Sequence, residues 1–165
     1  MARRLRRLGG IELVNAVLLP LLVSTVAPPS LALAAGWTAA CSVLVVGATY
    51  WFARAERLRR RLSRTPGLAM FATARIALLA VLAISAVVVL VDLVRGDPAV
   101  GWVGAVVWLF AVAEYVNYFR RQLSYQNRAD LHRLARRRRL LPALLGRELQ
   151  YRSAERRRAG PSRPT

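Results

Sequence analysis

The sequence predicts an all-α integral membrane protein, a four-helix bundle of two transmembrane hairpins followed by a basic amphipathic cytoplasmic helical tail. Of the 165 residues, 56% are hydrophobic, yet the formal net charge is +18. These properties are segregated along the chain, because long apolar runs alternate with arginine clusters, as in polytopic membrane proteins. All 26 basic residues are arginine, and the chain has one cysteine and one histidine. An internal disulfide and any site that needs two imidazoles are therefore excluded.

Four apolar runs qualify as membrane spans, since a helix needs roughly 20 mainly apolar residues to cross about 30 Å of hydrocarbon. Turn-forming proline and glycine residues separate the runs. Pro20 is expected to kink the first span and to free a carbonyl that a neighbouring helix must satisfy. Cys41, inside the second span, is interpreted as a small packing residue. The predicted spans cover residues 11–26, 31–52, 68–94 and 99–119, within a transmembrane domain of residues 1–119.

Small residues recur at four-residue spacing in three of the spans, a pattern that lets helix backbones approach closely in a membrane. Trp108, in the middle of the fourth span, is expected to pack between helices. We expect helix contacts at three small-residue ridges: Ala32, Gly36 and Ala40; Ala69, Thr73 and Ala77; Gly101 and Ala105.

The direction of the spans follows from the arginines. The N-terminus, the second connection and the tail after Phe119 are all strongly positive, whereas the first and third connections hold just Arg95 and Asp97. Loops rich in arginine stay on the cytoplasmic side. Three separate segments thus agree on one orientation, which predicts a multi-pass protein of a bacterial inner membrane with both termini in the cytoplasm.

Polar residues inside the spans form the first candidate site. Ionisable groups at such depth cost a few kcal/mol on insertion scales, so each is a functional hypothesis. Glutamate and asparagine lie three residues apart in both the first and the fourth span and so share a helix face. A functional site and a hydrogen-bonded clamp between helices both fit this pattern. The arginine of the group either pairs with a carboxylate or extends to the headgroups. The candidate residues are Glu12, Asn15, Arg75, Glu114, Asn117 and Tyr118.

A polar stripe continues beyond the fourth span into the tail, residues 120–158, which is predicted to form two helices. The second helix opens near Pro142, and residues 159–165 are expected to be disordered. The tail arginines are expected to meet anionic headgroups. No RNA-binding motif accompanies them, so nucleic acid is not favoured as a partner. The cytoplasmic stripe consists of Arg121, Tyr125, Arg128 and His132, and the predicted headgroup contacts are Arg136, Arg137, Arg138 and Arg139.

Three function classes stay open, and none calls for a metal or a cofactor. The favoured one is a non-enzymatic scaffold or accessory subunit whose arginine-rich tail binds anionic lipid or a protein partner, with a homodimer as a further partner hypothesis. The alternative is a small proton- or cation-coupled transporter that uses Glu12 and Glu114. The third is a lipid-modifying enzyme at the cytoplasmic face, with Glu114 or His132 as its base and Arg75 and Arg121 holding a phosphate.

Overall fold

The computed structural model describes residues 1–25, 27–120 and 143–158 of the chain. Within these residues, four long apolar helices pack as a bundle and a shorter fifth helix follows, so the predicted all-α fold class is confirmed. The first compact unit is Met1–Tyr115, and the second begins at Val116. The four long helices have the length and hydropathy of membrane spans, which identifies a multi-pass membrane protein. The helices are α1 Ala2–Ser24, α2 Leu31–Arg59, α3 Leu68–Arg95, α4 Pro98–Phe119 and α5 Leu144–Arg158.

Two of the helices extend beyond the apolar runs into the arginine clusters. α1 begins at Ala2 rather than at residue 11, and α2 continues to Arg59 rather than ending at Phe52. Arginine has a high helix propensity, so an arginine cluster ends an apolar run without ending its helix. The start of α2 at Leu31 was predicted correctly. Its N-cap is Ser30, whose Oγ accepts a hydrogen bond at 3.0 Å from the N–H of Leu33, a first-turn N–H that has no partner within the helix.

α1 packs against α2 at a point where a proline interrupts the hydrogen-bond ladder. Pro20 lies inside α1 and has no N–H, so the carbonyl of Ala16, four residues earlier, loses its usual donor. The thiol of Cys41 in α2 donates to that carbonyl oxygen at 3.2 Å. A neighbouring helix therefore satisfies the freed carbonyl, as predicted. Cys41 does so by a hydrogen bond, which the prediction of a small packing residue did not include.

α2 and α4 cross with their backbones almost in contact. Gly104 of α4 lies so close to α2 that a Cβ atom there would be 2.5 Å from the amide nitrogen of Leu33. A Cβ atom on Gly36 of α2 would lie 2.7 Å from the carbonyl oxygen of Gly104. Ala32 and Ala40, four residues to either side of Gly36, are fully buried. The predicted small-residue contact of α2 is therefore confirmed.

α3 turns a different face to the bundle from the one predicted. Ala69, Thr73 and Ala77 are all exposed, so the prediction that this ridge is a helix contact was wrong. Larger side chains occupy the interface instead, and they bury more apolar area than alanines would. The buried residues of α3 are Phe71, Leu78, Leu82, Ser85 and Val89.

Two polar side chains join α3 to its neighbours. The indole N–H of Trp108 in α4 donates to the carbonyl oxygen of Leu82 at 3.0 Å, which confirms that Trp108 packs between helices. The carboxylate of Asp92 in α3 accepts the N–H of Ala32 at 2.9 Å, in the first turn of α2. The first N–H groups of a helix lack partners within it and carry partial positive charge, so a carboxylate stabilises them.

In the second unit, α5 begins directly against the end of α4. The N–H of Ala143 donates to the carbonyl oxygen of Arg120 at 3.2 Å. Gly146 lies so close to Phe119 that a Cβ atom would be 2.5 Å from the Phe119 carbonyl oxygen. The start of α5 at Leu144 is two residues after Pro142, where the second tail helix was predicted to open. The buried apolar side chains of this segment are Ala143, Leu145 and Leu149.

Candidate functional site

The polar residues predicted to form an intramembrane site lie on three helices of the first unit. Glu12 and Asn15 are on α1, Arg75 is on α3 and Glu114 is on α4, and all four are half-buried. The Oε2 atom of Glu12 is fully buried, and both glutamates interact with other groups of the chain. Arg75 makes no hydrogen bond or ion pair with any residue that the structure describes. Its extension towards headgroups stays a prediction.

The remaining predicted residues belong to the second unit or lie outside the described residues. Asn117 is half-buried and Tyr118 is buried near the end of α4, and each interacts with other groups of the chain. The first predicted tail helix and the end of the tail at 159–165 fall outside the described residues. So do the cytoplasmic stripe and the predicted headgroup contacts: Arg121, Tyr125, Arg128, His132 and Arg136–Arg139.

A basic surface forms where the start of α1 meets the end of α2. Arg6 of α1 lies 3.6 Å from a carboxylate oxygen of Glu56 in α2, so the two arginine-rich segments occupy the same end of the helix pair. Arg59 binds the same carboxylate through two N–H donors, at 2.6 and 2.9 Å. Arg60 also pairs with it. One carboxylate thus holds three guanidinium groups on this side of α2.

A cavity of about 390 Å³ lies at the same end of α2. Three arginines line it together with three apolar side chains. Arg54 and Arg57 are three residues apart and share a face of α2, whereas Glu56 and its partners Arg59 and Arg60 fall on the opposite side by helical spacing. The end of α2 therefore has an ion-paired face and a cavity face. The cavity is lined by Met1, Arg54, Arg57, Leu58, Arg61 and Leu62.

The arginines of the cavity are held by defined contacts. Arg54 donates from Nη1 to the hydroxyl of Tyr50 at 3.1 Å. Tyr50 is itself buried and meets the ring of Phe71 edge-on, with centroids 5.7 Å apart. Arg57 donates from Nη2 to the carbonyl oxygen of Ser63 at 2.9 Å, which ties the end of α2 to the connection that follows. A buried tyrosine and a backbone carbonyl thus orient two of the three guanidinium groups.

The third arginine of the cavity has an unusual backbone conformation. Arg61 has a φ of 52°, in the left-handed region, directly after the helix C-cap at Arg60. The N–H of Leu62 donates to the carbonyl oxygen of Arg57 at 3.0 Å. This hydrogen bond is that of the Schellman motif, in which glycine is the usual residue at the left-handed position. A non-glycine residue there costs roughly 1 kcal/mol or more.

The sequence contained a signal for this cavity that the prediction did not use. The charge pattern that predicts topology treats the arginines between residues 54 and 61 as one group. On a helical projection, however, Arg54 and Arg57 lie on a different face of the helix from Glu56. The left-handed Arg61 had no sequence signal, because arginine rarely adopts that conformation.

The structure offers no clear metal centre among its described residues, since no group of three or more His, Cys, Asp or Glu side chains comes together there. No protein-family model, curated protein or solved structure matches the chain.

Proposed function

We propose that the protein is a non-enzymatic scaffold or accessory protein of a bacterial inner membrane that binds anionic lipid on its cytoplasmic side. The observation that carries this proposal is the ion pair between Arg6 and Glu56, which gathers the arginines of two sequence segments at one end of the bundle. Arginine near an anionic leaflet contributes about 1 kcal/mol per residue to membrane association. The tail arginines Arg136–Arg139 lie outside the described residues and are proposed to bind anionic headgroups as well.

The charge pattern supports an orientation with both termini in the cytoplasm. The basic end contains the start of α1 and the α2–α3 connection, and Asp92 lies at the opposite end of the bundle, where it caps α2. Positive segments remain on the cytoplasmic side during insertion. Two single-cysteine variants in a Cys41→Ala background test the orientation with a membrane-impermeant maleimide added to spheroplasts. Thr25→Cys should react and Ser63→Cys should not, and the reverse pattern would disprove it.

A non-enzymatic role is supported by the use of the polar groups in the bundle. The Cys41 thiol, the Trp108 indole and the Asp92 carboxylate each bind a backbone group of a neighbouring helix. Groups held in this way stabilise helix packing, since an unpaired backbone carbonyl or N–H in hydrocarbon costs several kcal/mol. We propose that the spans anchor and orient the basic surface, and that the surface performs the function.

Lipid binding is tested with the full-length protein in dodecylmaltoside micelles. Dioleoylphosphatidylglycerol should raise the melting temperature in a saturable manner, because a ligand that binds the folded state stabilises it. Added salt should weaken the effect by screening exposed charges. Dioleoylphosphatidylcholine is the matched neutral-headgroup control. Equal stabilisation by both lipids would refute the proposal and make a protein partner of the tail the leading alternative.

Transport is the second candidate function, and the buried Oε2 atom of Glu12 favours it. A carboxyl group in a span is a recurrent element of proton relays. Proteoliposomes with an imposed pH gradient and an internal pH dye measure this directly. A transporter would dissipate the gradient, and Glu12→Gln and Glu114→Gln would abolish that flux. The scaffold proposal predicts that the unmodified protein, Glu12→Gln and Glu114→Gln all give no proton flux above that of protein-free vesicles.

A further inference from the structure

We propose that the cavity lined by Arg54, Arg57 and Arg61 is a discrete binding site for a phosphate group carried on an apolar molecule. The inference deepens the proposed function and rests on it, because it gives the basic surface one defined site instead of uniform attraction to anionic lipid. The cavity has a volume of about 390 Å³ and is lined by three arginine side chains and three apolar side chains. Its volume falls within the range of small-molecule sites.

The distribution of charge around α2 favours an anion in this cavity. Glu56 is the one carboxylate in the sequence between residues 13 and 91. Its oxygens are engaged by Arg59, Arg60 and Arg6 on the ion-paired face. The cavity face gathers arginine side chains without a carboxylate among its lining residues. A phosphate group, with several acceptor oxygens, fits such a cluster because guanidinium groups bind it through paired N–H donors.

Two of the three guanidinium groups are oriented before any ligand arrives. Tyr50 holds Arg54, and the carbonyl of Ser63 holds Arg57 at the end of the helix. A site whose side chains are already ordered spends less free energy on ordering when it binds. These contacts also place both arginines beside the start of the connection that leads to α3.

The left-handed conformation of Arg61 is an independent argument for a ligand. Glycine fits this position without steric cost, whereas arginine is strained there. Strained residues cluster at functional sites, where the surrounding structure holds them in place. Arg61 therefore adds a guanidinium group to the cavity lining at a cost in folding stability. Anion binding explains why this position holds arginine and not glycine.

The apolar part of the lining indicates what carries the phosphate. Leu58, Leu62 and Met1 line the same cavity as the arginines. A free phosphate ion has no apolar part to contact them. A glycerophospholipid presents a charged phosphodiester next to its glycerol and acyl chains, and the site lies where an apolar span ends in basic residues. Both a lipid headgroup and a soluble phosphate supply the required chemistry, and the experiment separates them.

The variant that tests the site is Arg61→Gly, because it removes a cavity arginine while relieving the backbone. Titration calorimetry in dodecylmaltoside micelles measures the affinity of the full-length protein for dioctanoylphosphatidylglycerol. The affinity should fall about fivefold, the effect of one arginine at an anionic surface, while the melting temperature stays equal or rises. Arg54→Gln should weaken binding by a similar factor, and the two changes together by about 25-fold.

The control removes two arginines from the same end of the bundle but away from the cavity. Arg3 and Arg7 are exposed on the first turns of α1 and do not line the cavity. The Arg3→Gln/Arg7→Gln variant removes only general attraction at the basic surface, so its affinity should fall by less than about fivefold, against about 25-fold for Arg54→Gln/Arg61→Gly. An equal loss in this variant and in Arg54→Gln/Arg61→Gly would overturn the discrete site while leaving general lipid binding intact. No heat of binding to the unmodified protein would overturn the site and the proposed function together.

The two sources of phosphate are separated by titrating inorganic phosphate and glycerol 3-phosphate in the same micelles. The apolar lining predicts that dioctanoylphosphatidylglycerol binds at least tenfold more tightly than either soluble compound. Equal affinities would overturn the lipid assignment. Loss of glycerol 3-phosphate binding in Arg61→Gly with unchanged lipid binding would likewise overturn it, because the cavity would then recognise a soluble phosphate.

Discussion

Replacing Gly104 with alanine should separate the two helices that cross most closely in the bundle. The added Cβ atom would overlap the carbonyl carbon of Ala32 and lie 2.5 Å from the amide nitrogen of Leu33. Both atoms belong to the backbone of α2, so no side-chain rotation relieves the overlap. Carbon atoms pack at about 3.5–4.0 Å, and the helices must therefore move apart by about 1 Å at the crossing.

The magnitude follows from a comparison with Gly10→Ala. A Cβ atom on Gly10 in α1 would meet nothing within 4 Å, and both glycines lie inside helices. The intrinsic gain of about 1 kcal/mol for alanine over glycine in a helix applies to both variants and cancels in the difference. Overpacking a well-packed core costs about 1–3 kcal/mol. Because the obstruction is backbone, we expect Gly104→Ala to be about 2–3 kcal/mol less stable than Gly10→Ala.

The assay is equilibrium unfolding in mixed micelles, in which dodecylmaltoside is progressively replaced by dodecyl sulfate and helix content is followed by circular dichroism. The free energy of unfolding is compared for the unmodified protein and the two variants. A difference between Gly104→Ala and Gly10→Ala below about 0.5 kcal/mol would refute the close crossing. The tryptophan fluorescence, to which Trp108 at the same packing cluster contributes, should change in Gly104→Ala and not in Gly10→Ala.

Substitutions at Cys41, Asp92 and Trp108 test three polar contacts of the bundle in the same assay. Cys41→Ala should lower the free energy of unfolding by about 0.5–1 kcal/mol in the native background. In a Pro20→Ala background it should cost almost nothing, because Ala at position 20 restores the missing backbone donor. Equal costs in both backgrounds would contradict the contact. Asp92→Ala should cost about 2 kcal/mol and Asp92→Asn about 1 kcal/mol, and an Asp92→Asn variant as stable as the unmodified protein would show that the charge contributes nothing. Trp108→Phe should cost about 1 kcal/mol, whereas Trp102→Phe, at an exposed position, should be neutral; similar losses would argue against the indole hydrogen bond.

The fold class and the number of spans were predictable because hydrophobic length and charge segregation act locally. The starts of α2 and α3 at Leu31 and Leu68 agree with the predicted bounds, because Ser30 and the Pro66-Gly67 turn give local signals for helix entry. The start of α1 was misplaced for a physical reason. Hydropathy marks where the hydrocarbon begins, whereas the helix continues for as long as its residues have good helix propensity.

The contacts between helices were less predictable than the helices themselves. Small-residue ridges occur on several faces of an alanine-rich chain, and the crossing geometry decides which face is used. For α2 the ridge through Gly36 was correct, but for α3 the ridge through Thr73 is exposed. Asp92 was missed because it lies inside an apolar run, and its partner is a helix start 60 residues earlier in the chain. Such pairings appear only when the helices are packed.

The excess of positive charge at the basic end predicts that anionic lipid affects the stability of the fold, beyond the lipid binding proposed above. Residues 1–10 and 53–67 contain ten arginines and one glutamate, and the Arg6–Glu56 ion pair brings the two segments together. Like charges gathered in this way repel one another and destabilise the folded state. We propose that phosphates of an anionic leaflet supply the missing counter-charge at the depth where the apolar runs end. The protein should therefore fold more stably in vesicles that contain phosphatidylglycerol than in vesicles of phosphatidylcholine alone. Raising the salt concentration should reduce this difference in stability, because salt screens both the repulsion among the arginines and their attraction to the lipid phosphates.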